Sequence, residues 1–569
     1  MATLRSETSM TIAGIDLGTT NSLIATWTDE GPRLIANALG DTLTPSAVSI
    51  ADDGAVLVGR PAVDRLVTHP DRSIASFKRW MGSGAGARLA GKFYRAEELS
   101  ALVLRSLKED AENEAGSPIR DAVISVPAYF SDPQRKATLD AARLAGLGVE
   151  RLVNEPTAAA LAHGLESVEE GRFLILDLGG GTFDVSLLHK FEGIMEVRAS
   201  AGDSLLGGND FRDVLVSLIA RRDKLDPDAL PREDLARLLR EAERIKFALT
   251  TQDHASYELA LAGKDRSGIV TRAEFEEAAQ PLLRRLRAPI ERAVADSRVN
   301  PHEIDQIVLV GGATRMPMVR ALAARLFGRF PLAHPRPDHI IAMGAAVQAG
   351  LKARDFALKD VVMTDVCPFT LGIAVRDTTA PEGRAMSPLI ERNAVVPISR
   401  SGRYFTVDDN QTSINIEVYQ GENLRPAQNI RIGEIRVRVP AGPAGREAID
   451  VRFTYDVNGA LEVEVTAVST GQKESRVFRN AANLSAEELA ARFKALAEIK
   501  SPPREQAENR ALIARAERLY AESLGADRER IKSLLGDFEQ ALLDQQLRDV
   551  AGLRARFGTA LDGFERSWS

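Results

Sequence analysis

Apolar and polar positions follow two different periods along this chain, and the period changes once. From residue 12 to about 355, short apolar runs alternate with longer segments whose apolar residues recur at helical spacing. Val123–Val126, Phe173–Leu176, Val185–Leu188 and Ile307–Val310 read as strands. Leu99, Leu102, Val103 and Leu107 form one helical stripe. Asp132 is expected to cap a helix with Pro133 at its first position and Gly146 just past its end. Pro156 and Gly164 bracket a short Ala-rich helix in the same way. This pattern predicts an α/β architecture in two halves.

After Lys359 the pattern changes. Asp360–Asp365 is a short apolar run between two acids with no helical period. From about 366 to 480 the alternation is strict: Ile414, Ile416 and Val418 share a face, as do Ile435, Val437 and Val439. Ile449, Val451, Phe453 and Tyr455 are expected to pair with Leu461, Val463 and Val465 across a turn holding Asn458-Gly459. This is an antiparallel β domain with one buried face. The remainder, about 484–569, is rich in Ala, Leu, Glu and Arg. It opens with a capping box, Ser485 and Glu488, stapled by Leu484 against Leu489, and Pro502-Pro503 breaks its first helix from the next.

One motif occurs twice. Ile12–Asp16 leads into Leu17-Gly18-Thr19-Thr20, and Phe173–Asp177 leads into Leu178-Gly179-Gly180-Gly181-Thr182. Each copy is a strand, a Gly/Thr turn and a second strand. A turn of this composition brings bare backbone N–H groups close to phosphate oxygens. Asp16 and Asp177 end their strands just before the turns, where they can hold Mg²⁺, usually through its waters. One such turn is equally compatible with a plain hairpin; two in a duplicated frame point to a nucleotide held between them. Three further segments complete the candidate site. Val310-Gly311-Gly312-Ala313-Thr314-Arg315 offers bare backbone to a flat base, or is only a strand–helix turn. Val126-Pro127-Ala128-Tyr129-Phe130 ends a strand and turns sharply. Asn154-Glu155-Pro156-Thr157 places a carboxylate at a helix N-terminus, where its alternative role is a cap.

Composition narrows the classes. The chain has 569 residues, too many for one core, with 44% hydrophobic and 27% charged residues and a net charge of −7, which gives a nucleic-acid role no electrostatic support. One cysteine, Cys367, excludes an intramolecular disulfide and fits a reducing compartment; a small core residue is the expected role. Residues 1–11 lack the apolar centre of a signal peptide, and no apolar run approaches the ~20 residues of a membrane span. A cytoplasmic protein without membrane contact is expected. The seven histidines show no metal spacing, and His69-Pro70-Asp71 lies outside the helical-hairpin context in which that tripeptide carries meaning.

IDLGTTNS, VPAYF, NEPTAAA, DLGGGTFD and LVGGATRMP together resemble the DnaK-type, seventy-kilodalton heat-shock chaperones over nearly the whole chain. NSLIA, FKRWMGS, LVLRSLKEDAE, VPAYFSD, SPLIERN and VYQGEN are most similar to the HscC branch. The resemblance implies an actin-like, duplicated α/β ATPase domain (1–357), an apolar linker (358–365), a β-sandwich peptide-binding domain (366–482) and a short helical lid (483–569). It implies ATP or ADP with Mg²⁺ as cofactors, with K⁺ as a further candidate ion. Asp16, Gly18, Thr19, Thr20, Gly179, Gly180, Gly181 and Thr182 fall on phosphate-side positions, with Asp16, Glu155 and Asp177 around the metal. Lys78 falls on the catalytic lysine, and Glu155, Asp177, Thr182 and Asp184 complete the hydrolytic set. Glu243, Lys246, Gly311, Gly312, Arg315 and Asp338 fall on the adenosine side; Phe247 stands where some members stack an Arg on the base.

Pro127 and Arg135 match the pair proposed to relay nucleotide state, and Asp365 closes the linker that docks when ATP is bound. Thr364 interrupts the usual aliphatic run of that linker. Ile373, Tyr404, Phe405, Ile414 and Ile416 fall on positions lining a peptide channel. Arg376 and Val407 replace the typical Met and Ala of the arch over it, so a preference for acidic peptide flanks is one expectation and simple surface drift the other. Extended apolar polypeptides and a J-domain co-chaperone are the implied partners, with Arg151 at a J-domain contact position. An ordinary nucleotide exchange factor is doubtful, because the segment from Lys246 to Ile269 is short. The tail is shorter than a typical lid and ends Phe564-Glu565-Arg566-Ser567-Trp568-Ser569, without the Glu-Glu-Val-Asp signal. The implied function is an ATP-hydrolysing chaperone in which ATP switches peptide affinity. A small-molecule kinase or a filament-forming relative would leave residues 360–569 unexplained.

Overall fold

The structure is a computed structural model describing residues 12–166, 170–191, 194–333, 336–353, 362–380, 382–457, 459–478, 507–523, 525–543 and 550–568. The expected capping box at Ser485, the Pro502-Pro503 break, residues 1–11, Asp360-Val361 and Asn458 lie outside the described residues. The chain divides into two compact units, with the border between Phe369 and Thr370.

The first unit contains the same strand order twice. Ile12–Asp16 pairs antiparallel with Asn21–Thr28, which pairs with Gly31–Leu34; on its other side Ile12–Asp16 runs parallel to Asp121–Val126, then Gly148–Asn154. In the second copy Gly171–Leu178 takes the place of Ile12–Asp16. It is flanked by Phe183–Phe191 and Ile194–Asp203 on one side, and by Gln306–Val310 and Leu332–Ala333 on the other. Each sheet has its own apolar core. One is built on Ile15, Leu104 and Ile124, the other on Leu176, Phe211 and Leu309. Central strands in each copy are apolar on both faces because helices cover both sides.

Two helices cross tightly between these layers. Glu155–Glu166 packs on Ile340–Lys352, and a Cβ on Gly344 would lie 1.7 Å from Ala158 O. Only glycine permits this backbone approach. Gly164 does not end the first of these helices, which runs on to Glu166. The helix at Asp132–Leu144 also begins differently from expectation. Ser131, extended at φ −68° and ψ 166°, is the N-cap, and its N–H donates to Gln134 Oε1 at 3.0 Å. Asp132 is already helical, so Pro133 sits at the second position; Gly146 follows the helix end at φ +71° as expected.

The segment expected to be a linker begins, in its described part, as a strand. Val362–Val366 runs parallel to Ile194–Asp203, with Met195 opposite Met363 and Glu196 opposite Thr364. It adds a strand to the second sheet. Thr364 Oγ1 is buried there and has no hydrogen-bond partner among the described residues.

In the second unit the alternation is realised as two four-stranded antiparallel sheets. One runs Arg384–Ile390, Leu371–Arg376, Ser413–Gln420, Ile430–Arg438; the other Ile398–Phe405, Ala448–Tyr455, Leu461–Ala467, Lys473–Phe478. The expected register holds: Val451 faces Val465, Phe453 faces Val463 and Tyr455 faces Leu461. The connection is a turn from Asp456 to Gly459, closed by Gly459 N–H on Asp456 O at 3.2 Å. Helices Ala507–Glu522, Gly525–Leu543 and Val550–Trp568 pack around Leu519, Ile531 and Leu561, with the Phe538 and Phe557 rings stacked 4.1 Å apart. Among the described residues no helix is long and apolar enough to cross a membrane.

Candidate functional site

The two Gly/Thr turns face each other. A Cβ on Gly180 would lie 1.9 Å from Thr20 Oγ1, and one on Gly181 would lie 2.6 Å from Thr19 Oγ1. Thr19 and Thr20 of one repeat thus occupy the space left open by Gly180 and Gly181 of the other. Each turn is also locally closed. A Cβ on Gly18 would meet Asn21 O at 2.1 Å, and Gly179 N–H donates to Thr182 O at 3.1 Å.

Behind the turns lies a buried charge cluster. Asp16, Lys78, Glu155, Asp177 and Asp184 are all buried. Parallel pairing sets Ser125 opposite Asp16, and Ser125 Oγ donates to Asp16 Oδ1 at 2.8 Å. Antiparallel pairing sets Asp177 opposite Asp184. Lys78 sits in the short helix Phe77–Trp80 and reaches Glu155, at the start of its helix, with Nζ 2.8 Å from Oε1. Burial and the neighbouring Glu155 charge push the Asp16 carboxyl up to about 7. The same two causes push Asp184 up to about 8, although Tyr129 N–H donates to its Oδ1 at 3.1 Å. Asp177 is raised well above the usual carboxylate range by burial, then by Glu155, Asp184 and Asp16. Its Oδ2 is buried with no hydrogen-bond partner among the described residues. Four buried carboxyl groups around one ammonium hold more negative charge than their own partners neutralise. Among the described residues no three such side chains come together closely enough to ligate one ion directly, so a hard divalent cation at Asp16, Asp177 and Glu155 would be held mainly through its waters.

A second group of predicted residues converges on the far side of the turns. Gly208 links them: a Cβ there would meet Ala313 Cβ at 3.3 Å, Lys246 Nζ at 3.4 Å and Gly179 O at 3.6 Å. Lys246 Nζ donates to Gly208 O at 3.1 Å and pairs with Glu243 at 2.8 Å. Gly311, at φ +81°, packs on Asp177, and a Cβ on Gly312 would meet Asp338 Oδ1 at 2.7 Å. Arg315 pairs with Asp338 at 2.6 Å. Phe247 is 65% exposed, with the Lys246 ammonium 5.5 Å from its ring centre. A flat, partly exposed surface of this kind suits a base.

Sequence reasoning gave no role to Arg79. Its Nε donates to Gly181 O at 3.2 Å and its guanidinium pairs with Asp210. Arg79 therefore ties the first half to the second turn, while Lys78 beside it holds Glu155. The signal available was adjacency to Lys78. Asn154 was also missed. Its Oδ1 accepts from Arg135 Nη2 at 2.5 Å, and its Nδ2 donates to Asp365 Oδ2 at 2.9 Å. Thr157 Oγ1 donates to the same Asp365 oxygen at 3.2 Å. Arg135 is also held by Phe130 O and Ala128 O, at the sharp turn that Pro127 opens. The predicted relay residues thus meet in one buried network. Arg151 lies beside it, with Nη1 donating to Gln348 Oε1 at 3.1 Å. Cys367 is buried, with Sγ 3.1 Å from Phe369 O.

In the sandwich, Ile373 and Ile416 are buried in the same sheet, and Ile414 is half-buried beside them. Tyr404 Oη lies 3.1 Å from Ser387 Oγ. Phe405 is 52% exposed. Successive strand residues point to opposite faces, so Tyr404 and Phe405 project from opposite faces of their strand. Arg376 and Val407 are brought together: Arg376 Nη1 donates to Val407 O at 3.1 Å.

Comparison with known proteins places these features in a family. The family model described as Hsp70 protein matches residues 12–88 and 83–549. The chain is 39% identical over 589 residues to "Chaperone protein dnaK3" of Thermosynechococcus vestitus, covering 95% of this chain and 85% of that one. It is 41% identical over 493 residues to the chaperone protein DnaK of Thermotoga maritima (84% and 82% covered) and 39% identical over 566 to that of Thermus thermophilus (92% and 91%). This chain belongs to the Hsp70 family, as an ATP-dependent chaperone of the DnaK type with ATPase activity.

Proposed function

We propose that ATP held between the two turns governs the peptide grip of the β-sandwich, and that Val362–Val366 carries the message. The observation supporting this is the strand that Val362–Val366 adds to the second sheet, pinned at Asp365 by Asn154 and Thr157. Asn154 directly precedes Glu155, the partner of Lys78. The network at Asn154, next in sequence to Glu155, thus reaches the linker at Asp365. The proposed division is 1–357 for the actin-like ATPase domain, 358–365 for the linker, 366–482 for the sandwich and 483–569 for the lid.

Phosphoryl transfer is mostly positioning and charge stabilisation. Lys78, oriented by Glu155, positions water and the terminal phosphate. Asp184, buried opposite Asp177, completes the acidic set around the metal and the attacking water. Thr19, Thr20 and Thr182 present hydroxyls beside the Gly18 and Gly179–Gly181 backbone. Mg²⁺ at Asp16, Glu155 and Asp177 would supply charge neutralisation for the phosphates. Glu243, Lys246, Gly312, Arg315 and Asp338 hold the adenosine side.

An extended apolar polypeptide is the proposed second ligand, and the coupling is reciprocal: if ATP weakens peptide binding, peptide weakens ATP binding. A J-domain co-chaperone near Arg151, a cytoplasmic location and membership of the HscC branch belong to the same proposal, the last on the segments quoted above. The relatives described carry DnaK names, and family membership disfavours a kinase or filament role. Fluorescence anisotropy of a labelled apolar peptide tests the reading. Binding with ADP and faster release on adding ATP are expected. Absence of binding, or release indifferent to ATP, overturns it.

A further inference from the structure

Arg376 ends the strand Leu371–Arg376, and Val407 and Asp408 follow the strand Ile398–Phe405 of the opposite sheet. Arg376 Nη1 donates to Val407 O at 3.1 Å and to Asp408 Oδ1 at 2.9 Å, and Nη2 reaches Asp408 Oδ2 at 3.4 Å. One guanidinium thus spans the two sheets and holds both a carbonyl and a carboxylate.

The receiving loop is braced for this. Gln411 Oε1 accepts from Val407 N–H at 2.9 Å and Asp408 N–H at 3.3 Å, while Gln411 Nε2 donates to Ser413 O at 3.0 Å. Thr406 N–H donates to Glu447 O at 2.9 Å, Ala444 N–H to Asp409 Oδ1 at 2.9 Å, and Asn410 N–H to Gly442 O at 2.8 Å. The backbone of the loop that carries Val407 and Asp408 is therefore held by its own hydrogen bonds, independently of Arg376. Planar donors match such an acceptor pair with defined geometry.

We propose that Arg376, Val407 and Asp408 form an electrostatic clasp over the peptide channel, so that peptide residence in this chaperone depends on an ion pair. This rests on the reading of the sandwich as the peptide-binding domain. The clasp also changes what the arginine means for specificity. Its charge is matched by Asp408, and the adjoining residues in sequence, Asp377 and Asp409, are both acidic. An arginine whose charge is matched in this way gives no preference for acidic peptide flanks.

The pair is more than half exposed on both sides, so its strength is screened by salt. The test is the release rate of a labelled apolar peptide from the full chain with ADP, at low and high salt, for wild type, Arg376→Met and Asp408→Asn. Release from wild type is expected to quicken with salt. At low salt both variants are expected to release about two- to five-fold faster, and their rates to be nearly flat with salt. The exchange Arg376→Asp with Asp408→Arg is expected to recover slow, salt-sensitive release. Variants matching wild type in rate and salt response overturn the clasp while leaving the channel standing. Absence of peptide binding by wild type overturns both. Tighter binding of a peptide with acidic flanks than of its basic-flanked counterpart overturns this reading of the arginine.

Discussion

Asn154 Nδ2 donates to Asp365 Oδ2 at 2.9 Å, joining the strand Gly148–Asn154 to a strand 211 residues away in sequence. The same Asn accepts from Arg135, so a buried cation, amide and carboxylate stand in line. Asp365→Asn keeps the size but removes the charge that Asn154 and Thr157 engage. ATP-induced acceleration of peptide release is expected to fall by on the order of ten-fold, within the usual range of coupling between sites. ATP hydrolysis without peptide should stay close to wild type. Stopped-flow peptide release beside a phosphate-release assay checks both.

Lys78 and Glu155 are each other's closest charged partners, at 2.8 Å and buried. Lys78→Ala should keep nucleotide binding and lose about 10²–10³ in hydrolysis rate, the range for removing one preorganised donor. It should also destabilise the ATPase domain, because breaking a buried pair costs on the order of 3–5 kcal/mol. Lys78→Ala with Glu155→Gln should recover part of that stability and none of the activity. Nucleotide titration, single-turnover hydrolysis and thermal melts separate these effects.

Asp16 gives a pH dependence of definite sign. Its carboxyl rises from 3.8 to about 7 on folding, through burial and then the Glu155 charge. A group raised on folding contributes stability that is fully present below its unfolded value and is lost as pH rises through the folded one. In metal-free, nucleotide-free protein, the Tm of wild type minus that of Asp16→Asn is expected to fall from about pH 4 to about pH 7. A difference that stays constant or grows across that window would sink the assignment.

Gly180 and Gly344 are crowded for different reasons, and alanine should separate them. At Gly180 a Cβ meets Thr20 Oγ1, part of the facing turn; at Gly344 it meets Ala158 O, the backbone of a packed helix. Gly180→Ala is expected to lower nucleotide affinity with little change in Tm. Gly344→Ala is expected to lose about 1–3 kcal/mol of stability, the usual cost of overpacking. Calorimetric nucleotide titration and thermal melts on both variants check the contrast.

Local pattern sufficed for much of this protein. Strand alternation set the sandwich register from Val451–Val465 to Tyr455–Leu461, because a one-residue slip would turn the apolar face of one strand out of the core. The repeated Asp-Leu-Gly motif located both turns, because close backbone approach demands glycine wherever it occurs. Local pattern misplaced one helix start and one helix end. Ser131 takes the cap ahead of Asp132, and the Ala-rich helix runs past Gly164, where packing outweighs glycine's modest cost.

The contacts that join distant segments were decided only by the tertiary structure. Nothing near Arg79 in sequence announces Gly181 or Asp210, and nothing near Asn154 announces Asp365. Arg376 was visible as an unusual residue, yet its commitment to Asp408 depends on two strands of different sheets ending side by side. A sequence displays which side chains can bond and with what period the backbone repeats. Which bonds form across long separations depends on how sheets and helices bury their apolar faces, since that packing alone sets the distances between groups from separate segments.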